Sequence, residues 1–550
     1  MALTRIDFAA ASLAFATIVI SYLLNRRKQL KGLRGPHGDS YLLGVEYKLE
    51  LENLQQAGDL TVKWAEEYGA TYKVPGCFGE KILITSDPRA IHYILHQHVV
   101  EFPASRDVRQ FFELIFGRGV LWAVGEEHRR HRRVLSPAFS INHMKSFVPL
   151  IQQHITQLVE KLNLKLQQGN EVLDIIPWFH KVTLDVIGES SFNYNFEALE
   201  GKPNELTDAL KHFETVGFSP SPIQAIARAM PRHLPNLMSD FQVRYIPSAR
   251  EKVSMRYLEL SNQKAREMMQ TSGLVLGDGY NDDSEKVELS GKESDVLSVL
   301  VRANRAENPR KRLTENEVLS QMSTLIQAGH HTTGYSLSWI LYELCRNPAD
   351  QQRVYEEIKA IRARTSGELS AADYDELGNG WLGLCVKEAL RLHPVVLQLA
   401  REAKHADLVP LELPVESSSG ETISEVPVQP GQRIVVDINM YNRLESVWGP
   451  DANKWNPSRF DASAPAKPIT VGMTDNLLTF SGGSKGCIGW RFALIELHIL
   501  LAGLLEQFHF SLPSDMEIKC ASVGLVVPVV VGKENEGSRL PLVVRRRERD

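Results

Sequence analysis

Two kinds of apolar pattern divide this chain. Residues 8–24 (FAAASLAFATIVISYLL) form an uncharged run of 17 residues, at the short limit for a helix that crosses a bilayer. Asn25-Arg26-Arg27-Lys28 follows it, with Lys31 and Arg34 close behind, whereas only Arg5, offset by Asp7, comes before. Positive charge collected after the run predicts a retained transmembrane anchor, its N-terminus lumenal and the body cytoplasmic. A cleaved signal peptide would carry its charge ahead of the apolar stretch and a small-residue cleavage site behind it; the sequence has neither. The expected division is an anchor with its basic stop over residues 1–32 and one large domain over 33–550. Leu33-Arg34-Gly35-Pro36-His37-Gly38 reads as a stiff turn between the two.

Beyond that turn the periods mix. Lys81–Ser86 (KILITS) is a short β-rich run closed by Asp87-Pro88, which opens a helix through Leu95. Residues 141–260 are largely helical in pattern, with breaks expected at Phe218-Ser219-Pro220-Ser221-Pro222 and at Met230-Pro231. Residues 274–291, polar, acidic and dotted with glycine, read as an exposed loop. Thr314-Glu315-Asn316-Glu317 has the form of a capping box, and no proline follows it until Pro348. The helix it starts would span roughly 50 Å. The last third alternates turns with strands such as Arg433–Asp437 and Gly524–Val531. The fold class is mainly α with a minor β part, an outline that many functions share.

Composition adds exclusions. A net charge of −5 over 550 residues argues against nucleic acid as a partner. The five cysteines (Cys77, Cys345, Cys385, Cys487, Cys520) are odd in number, scattered and without zinc spacing. That fits a reduced environment better than a disulfide framework.

Cys487 stands apart from the other four. It lies in Phe480-Ser481-Gly482-Gly483-Ser484-Lys485-Gly486-Cys487-Ile488-Gly489, just before the apolar helical run 490–504. The unpaired N–H groups and dipole of a helix start ease a thiol toward thiolate, and the glycines let backbone approach something large and flat. A thiolate held so is the axial ligand of a haem that activates oxygen; the alternative is a structural cysteine in a Gly-rich turn. Within the expected long helix sits Ala328-Gly329-His330-His331-Thr332-Thr333. A mid-helix Gly costs about 1 kcal/mol relative to Ala, and a bend centred there would make room for dioxygen and water. A helix with incidental Gly and hydroxyls is the plainer alternative. His330 and His331 point about 100° apart and cannot share one ion. Glu388 and Arg391 are three apart on one helix face, a pairing that alone is most often solvated. Gly125–Arg133 (GEEHRRHRR) reads as a basic helix with His128 and Arg132 on one face.

The spacing F-x-x-G-x-[R/K]-x-C-x-G from Phe480 to Gly489 resembles the haem-binding loop of the cytochrome P-450 monooxygenases, and four further motifs stand in that family's order between about Leu33 and Val544. The resemblance implies that fold, haem b as cofactor, O2 as co-substrate, Cys487 as iron ligand, and a haem loop bounded by Phe480 and Gly489. Lys485 stands where the family usually has Arg; it offers a propionate a point charge but no bidentate fork. His128 replaces the tryptophan of a W-x-x-x-R pair that holds a propionate and whose arginine is Arg132, and Arg401 matches another propionate-binding arginine. In the A-G-x-[D/E]-T-T segment Thr332 would help deliver protons to bound oxygen, and His331 occupies the acidic position. Glu388, Arg391 and Arg459 match a structural Glu–Arg–Arg core. Arg129, Arg130 and Arg133 would be free for an acidic electron donor, a merely solvated face being the alternative.

By the same resemblance the chain is a microsomal monooxygenase in the endoplasmic reticulum membrane, its motifs most like those of fungal members. Its substrate would be an apolar small molecule of secondary metabolism, terpenoids among them. Electrons would come from an NADPH-cytochrome reductase, with cytochrome b5 as a further donor. Segments near Phe111–Ile115, Phe218–Met230, Val395–Leu399 and Val523–Val527 would line the substrate site. Two other readings stay open. One is a haem-thiolate isomerase or dehydratase needing no reductase, which His331 keeps alive and Thr332 argues against. The other is a catalytically silent haem-binding protein, which would predict a defect in the cysteine loop; none is seen.

Overall fold

The computed structural model describes residues 30–203, 205–234, 236–271, 295–308, 311–365, 367–461 and 469–548. The expected anchor (8–24) and the expected loop (274–291) lie outside these residues. Among the described residues no helix is long and apolar enough to cross a membrane.

A 32-residue helix, Glu315–Arg346, forms the axis of the body. Its capping box is complete: Thr314 Oγ1 accepts from the Glu317 amide at 3.3 Å, and the Glu317 carboxylate accepts from the Thr314 amide at 2.8 Å. Helices Ile176–Phe192, Ala249–Thr271, Trp381–Leu392 and Trp490–Gln507 pack around it. Gly329 proves to have a packing purpose. A Cβ there would stand 2.5 Å from Ile187 Cδ1, so the missing side chain lets two helices touch. The helix runs unbroken through this point, which corrects the expected Gly-centred opening. Trp490–Gln507 is held the same way against Val148–Gln167, where Gly503 meets Ile155.

A four-stranded sheet sits beside the helices in the order Thr71–Pro75, Lys81–Thr85, Arg433–Asp437, Gln398–Glu402. The pairing of Lys81–Thr85 with Arg433–Asp437 is parallel; the outer pairs are antiparallel. Asp87 caps the helix Pro88–His92 by accepting from the Arg89 and Ala90 amides, both at 2.9 Å. The same carboxylate takes the amides of Glu412 and Leu413, so one residue ends a strand, starts a helix and pins a hairpin. The expected strand Gly524–Val531 is observed as Val526–Val530, with Gly524 turning at φ 114.

Two details depart from the local pattern. The break at 218–222 occurs, with Ser221 and Gln224 forming a second capping box. The break at Met230-Pro231 falls later: Pro222–His233 continues through Pro231 and ends two residues beyond it. A three-residue strand, Val172–Asp174, pairs with Pro541–Arg546 inside the stretch read as helical. It is too short to carry a readable alternation.

Candidate functional site

The cysteine loop is built by close approaches. A Cβ on Gly482, Gly483 or Gly486 would lie 1.9 Å from Val471 O, 1.9 Å from Leu95 O or 2.3 Å from Met473 Sδ. The Cys487 amide closes the loop onto the Phe480 carbonyl at 2.9 Å. Gly489 differs: its nearest neighbour would be Phe139 Cε1 at 3.9 Å, so packing does not require a glycine there and space is left beside the thiol. Cys487 is surrounded by protein yet exposed, which places its sulfur on an internal opening. Burial pushes the thiol above its ordinary pKa, against the pull of the Gly489 amide and of Arg132.

Three cations converge around a fourth, Lys485, two residues before Cys487, and one of the three, Arg132, also acts on the thiol. Arg132, on the helix Gly125–Leu135, donates from Nη1 to the Gly486 carbonyl at 2.8 Å. Lys485 donates to the Ala123 carbonyl. Arg401 comes from strand Gln398–Glu402, and Arg109 from helix Arg106–Phe116. Burial pushes Lys485 down to about 7, and Arg401, Arg109 and Arg132 push the same way, with Glu127 opposing them. Arg401 is only 8% exposed and, among the described residues, has no carboxylate partner; burial lowers it to about 10. His128 is held down to about 3 by burial and then by Lys485 and Arg132. It is therefore neutral, with one N–H to donate. Gathering like charges out of water is unfavourable until a counter-charge arrives. An open thiol on the same loop as the centre of such a cluster fits a flat group with an iron centre and two carboxylates, as in haem.

The long helix contributes a second wall. Its middle is buried on most sides, but Ala328 is exposed and Thr332, one turn on, is half-buried. That face borders open space. Thr332 Oγ1 donates to the Ala328 carbonyl at 2.7 Å and Thr333 Oγ1 to the Gly329 carbonyl at 3.0 Å. His331 lies on the adjoining face, its ring 3.9 Å from that of His330 and 4.7 Å from that of His180. Burial keeps His331 well below the ordinary histidine value, with His330 and His180 adding to the effect.

Behind the loop, Glu388, Arg391 and Arg459 meet as expected. Glu388 takes Arg391 at 2.7 and 2.8 Å and Arg459 at 3.1 Å. Arg391 reaches on to the Asn442 and Ala452 carbonyls, both at 2.6 Å. Asn442 in turn holds Thr479 and Leu478 at the start of the cysteine loop.

One expectation is corrected. Arg129, Arg130 and Arg133 are not free: they pair with Glu126, Glu317 and Glu307 respectively. Of these acids only Glu126 is near in sequence. Arg109 and His180 went unnoticed in the sequence, since nothing local signals where their helices dock. The four apolar segments meet as two directly touching pairs, linked through Gly217 just ahead of the second segment. The Val526 amide donates to Val395 O at 2.9 Å, Gly217 abuts Val523, and the helix bearing Phe111 packs on Pro222–His233.

The chain belongs to the cytochrome P450 family, whose model matches residues 36–530. Similar proteins include cytochrome P450 monooxygenase 128 of Postia placenta, 31% identical over 98% of this chain and 97% of its own length. Cytochrome P450 monooxygenase 219 of the same fungus is 31% identical over 88% of each chain. Cytochrome P450 monooxygenase claU of Ampulloclitocybe clavipes is 28% identical over 96% of this chain and 94% of its own. The chain is an oxidoreductase of the monooxygenase type, and its family brings haem iron, O2, a redox partner and a small-molecule substrate.

Proposed function

We propose that Cys487 ligates the iron of haem b and that Arg132, Arg401, Lys485 and His128 hold the propionates, within a loop bounded by Phe480 and Gly489. The enzyme so formed oxidises an apolar small molecule of fungal secondary metabolism. The observation that carries this reading is the open Cys487 thiol on the same loop as Lys485, around which Arg132, Arg401 and Arg109 gather, Arg401 having no carboxylate partner among the described residues. Bound haem would supply oxygen activation, the thiolate pushing electron density toward O–O cleavage.

The protein's own residues do the rest. Thr332 donates its hydroxyl proton to Ala328 O at rest; rotating off that carbonyl would let it hand this proton to the open side while its lone pairs take another. His331 supplies protons where the family has a carboxylate. The apolar segments around Phe111, Phe218, Val395 and Val523 exclude water and favour an apolar substrate. Electrons pass from NADPH through a membrane reductase, with cytochrome b5 as a second donor. Residues 8–24 anchor the chain in the endoplasmic reticulum membrane and residues 33–550 lie in the cytoplasm, a reading supported by the basic run after the apolar one. The acidic donor must compete with Glu126 and Glu307 for the half-exposed Arg129 and Arg133.

The test is reconstitution with a fungal NADPH reductase and a panel of apolar substrates. Oxygen and NADPH should be consumed in step with one oxygenated product. Product formation without reductase would overturn the proposal.

A further inference from the structure

Thr332 neighbours a group of imidazoles that the cysteine loop does not explain. His180, on Ile176–Phe192, turns its ring nearly perpendicular to two others: to His331 at 4.7 Å and 85°, and to Tyr335 at 4.6 Å and 89°. Gly334 admits it, since a Cβ there would lie 2.6 Å from His180 Cδ2. His180 Nε2 is buried and, among the described residues, has no hydrogen-bond partner. An orphaned buried polar atom costs about 1–3 kcal/mol, so its retention calls for a use. His330 is committed elsewhere: its Nδ1 donates to Ile326 O at 2.6 Å. Outward, the Tyr335 hydroxyl meets Ser538 Oγ at 3.2 Å, and Ser538 is half-buried. Ring contacts therefore set Tyr335, His180 and His331 side by side between Ser538 and the Thr332 face, with His180 Nε2 bonded to neither neighbour in the resting arrangement.

We propose that His180 is the relay partner of His331, and that this pair, with Tyr335 and Ser538 as its outward leg, brings protons to Thr332 in place of a carboxylate. The proposal rests on the reading of Thr332 as the proton-delivering hydroxyl. A neutral imidazole has one N–H and one lone pair. His331 releases its N–H proton toward Thr332 Oγ1 and takes another on its second nitrogen from His180. His180 Nε2 has no partner at rest, so His180 is refilled from the Tyr335 hydroxyl through a bridging water, and Tyr335 from Ser538 and solvent. Tautomer exchange resets both rings, so one proton enters from solvent, one is delivered, and no ring ends charged. Side chains adjacent on a helix point about 100° apart, so the last handover passes through water. Burial holds His180 down to about 3 and His331 well below its ordinary value, which suits rings that pass protons without storing them.

The test uses the reconstituted holoenzyme. His180→Phe keeps an aromatic edge against His331 and Tyr335 but removes both nitrogens. Haem content, the carbon-monoxide spectrum and melting temperature should be unchanged. Product per NADPH should fall roughly tenfold or more, with the balance appearing as peroxide, and His180→Gln, which keeps polar atoms but cannot pass a proton on, should stay uncoupled as well. Full coupling in either His180→Phe or His180→Gln would overturn the inference. If Thr332→Ala uncouples while His180→Phe does not, only the relay fails. Full coupling in both would overturn the reading of Thr332 itself.

Discussion

Arg132 Nη1 donates to the Gly486 carbonyl across 2.8 Å, so the basic helix grips the residue immediately before Cys487. The guanidinium is partly desolvated, which lowers its pKa against the opposing pull of Cys487. One side chain thus sets the loop and offers charge to the group above it. A hydrogen bond to a charged group contributes about 1.5–3 kcal/mol. Arg132→Leu is expected to lower haem retention roughly tenfold or more, and Arg132→Lys to recover part of it. Haem per folded protein after gel filtration is the measurement.

Glu496 is fully buried on Trp490–Gln507, and neither oxygen makes a well-formed hydrogen bond among the described residues. Burial pushes its carboxyl well above the usual range, with the nearby Thr333 hydroxyl pulling back. The folded state therefore holds a proton that the unfolded chain releases above its ordinary value of 4.5. Stability should fall as pH rises from there through the raised folded value. Glu496→Gln removes this dependence. Its melting temperature should exceed that of the native chain at about pH 7.5, each pKa unit of upward shift being about 1.4 kcal/mol. At pH values below about 4 the two curves should meet.

Gly329 tests whether the long helix is shaped by propensity or by contact. Alanine would gain about 1 kcal/mol of helix propensity, but its Cβ would meet Ile187 at 2.5 Å. Overpacking typically costs about 1–3 kcal/mol. Gly329→Ala is expected to destabilise by about 1 kcal/mol net. Adding Ile187→Ala should cost less than its own single substitution, a coupling that denaturant titration of the four chains would reveal.

Much of this was legible in the sequence because it is local. The cysteine loop, the capping box at Thr314 and the pairing of Glu388 with Arg391 each lie within one short segment. Arg459 was found only through the family resemblance, being 71 residues from Glu388. What periodicity cannot report is which remote surface a helix will face. Gly329 read as a bend because Ile187 is distant in the chain. Arg130 and Arg133 read as free because Glu317 and Glu307 are reached only after folding. Arg109 joins the cation cluster, and His180 the histidine group, by the docking of whole helices. Pro231 read as a break two residues ahead of the observed helix end at His233, a boundary that the local pattern does not fix.

Thr332 and His331 should divide their work unequally. Thr332→Ala removes the hydroxyl nearest the open face and should divert most reduced oxygen to peroxide, within the roughly 10²–10⁴-fold range of a positioned proton donor. His331→Ala should uncouple more mildly. His331→Asp should keep activity, because a carboxylate there can pair with His180. Peroxide and product measured per NADPH distinguish the three.

The central claim is that Cys487 binds the iron, and the most direct measurement is the carbon-monoxide difference spectrum of the reduced protein with Cys487→Ala. The native chain should show the thiolate band and the variant should lack it, while far-UV circular dichroism stays the same. An unchanged thiolate band in Cys487→Ala would contradict the account and move the ligand to another cysteine.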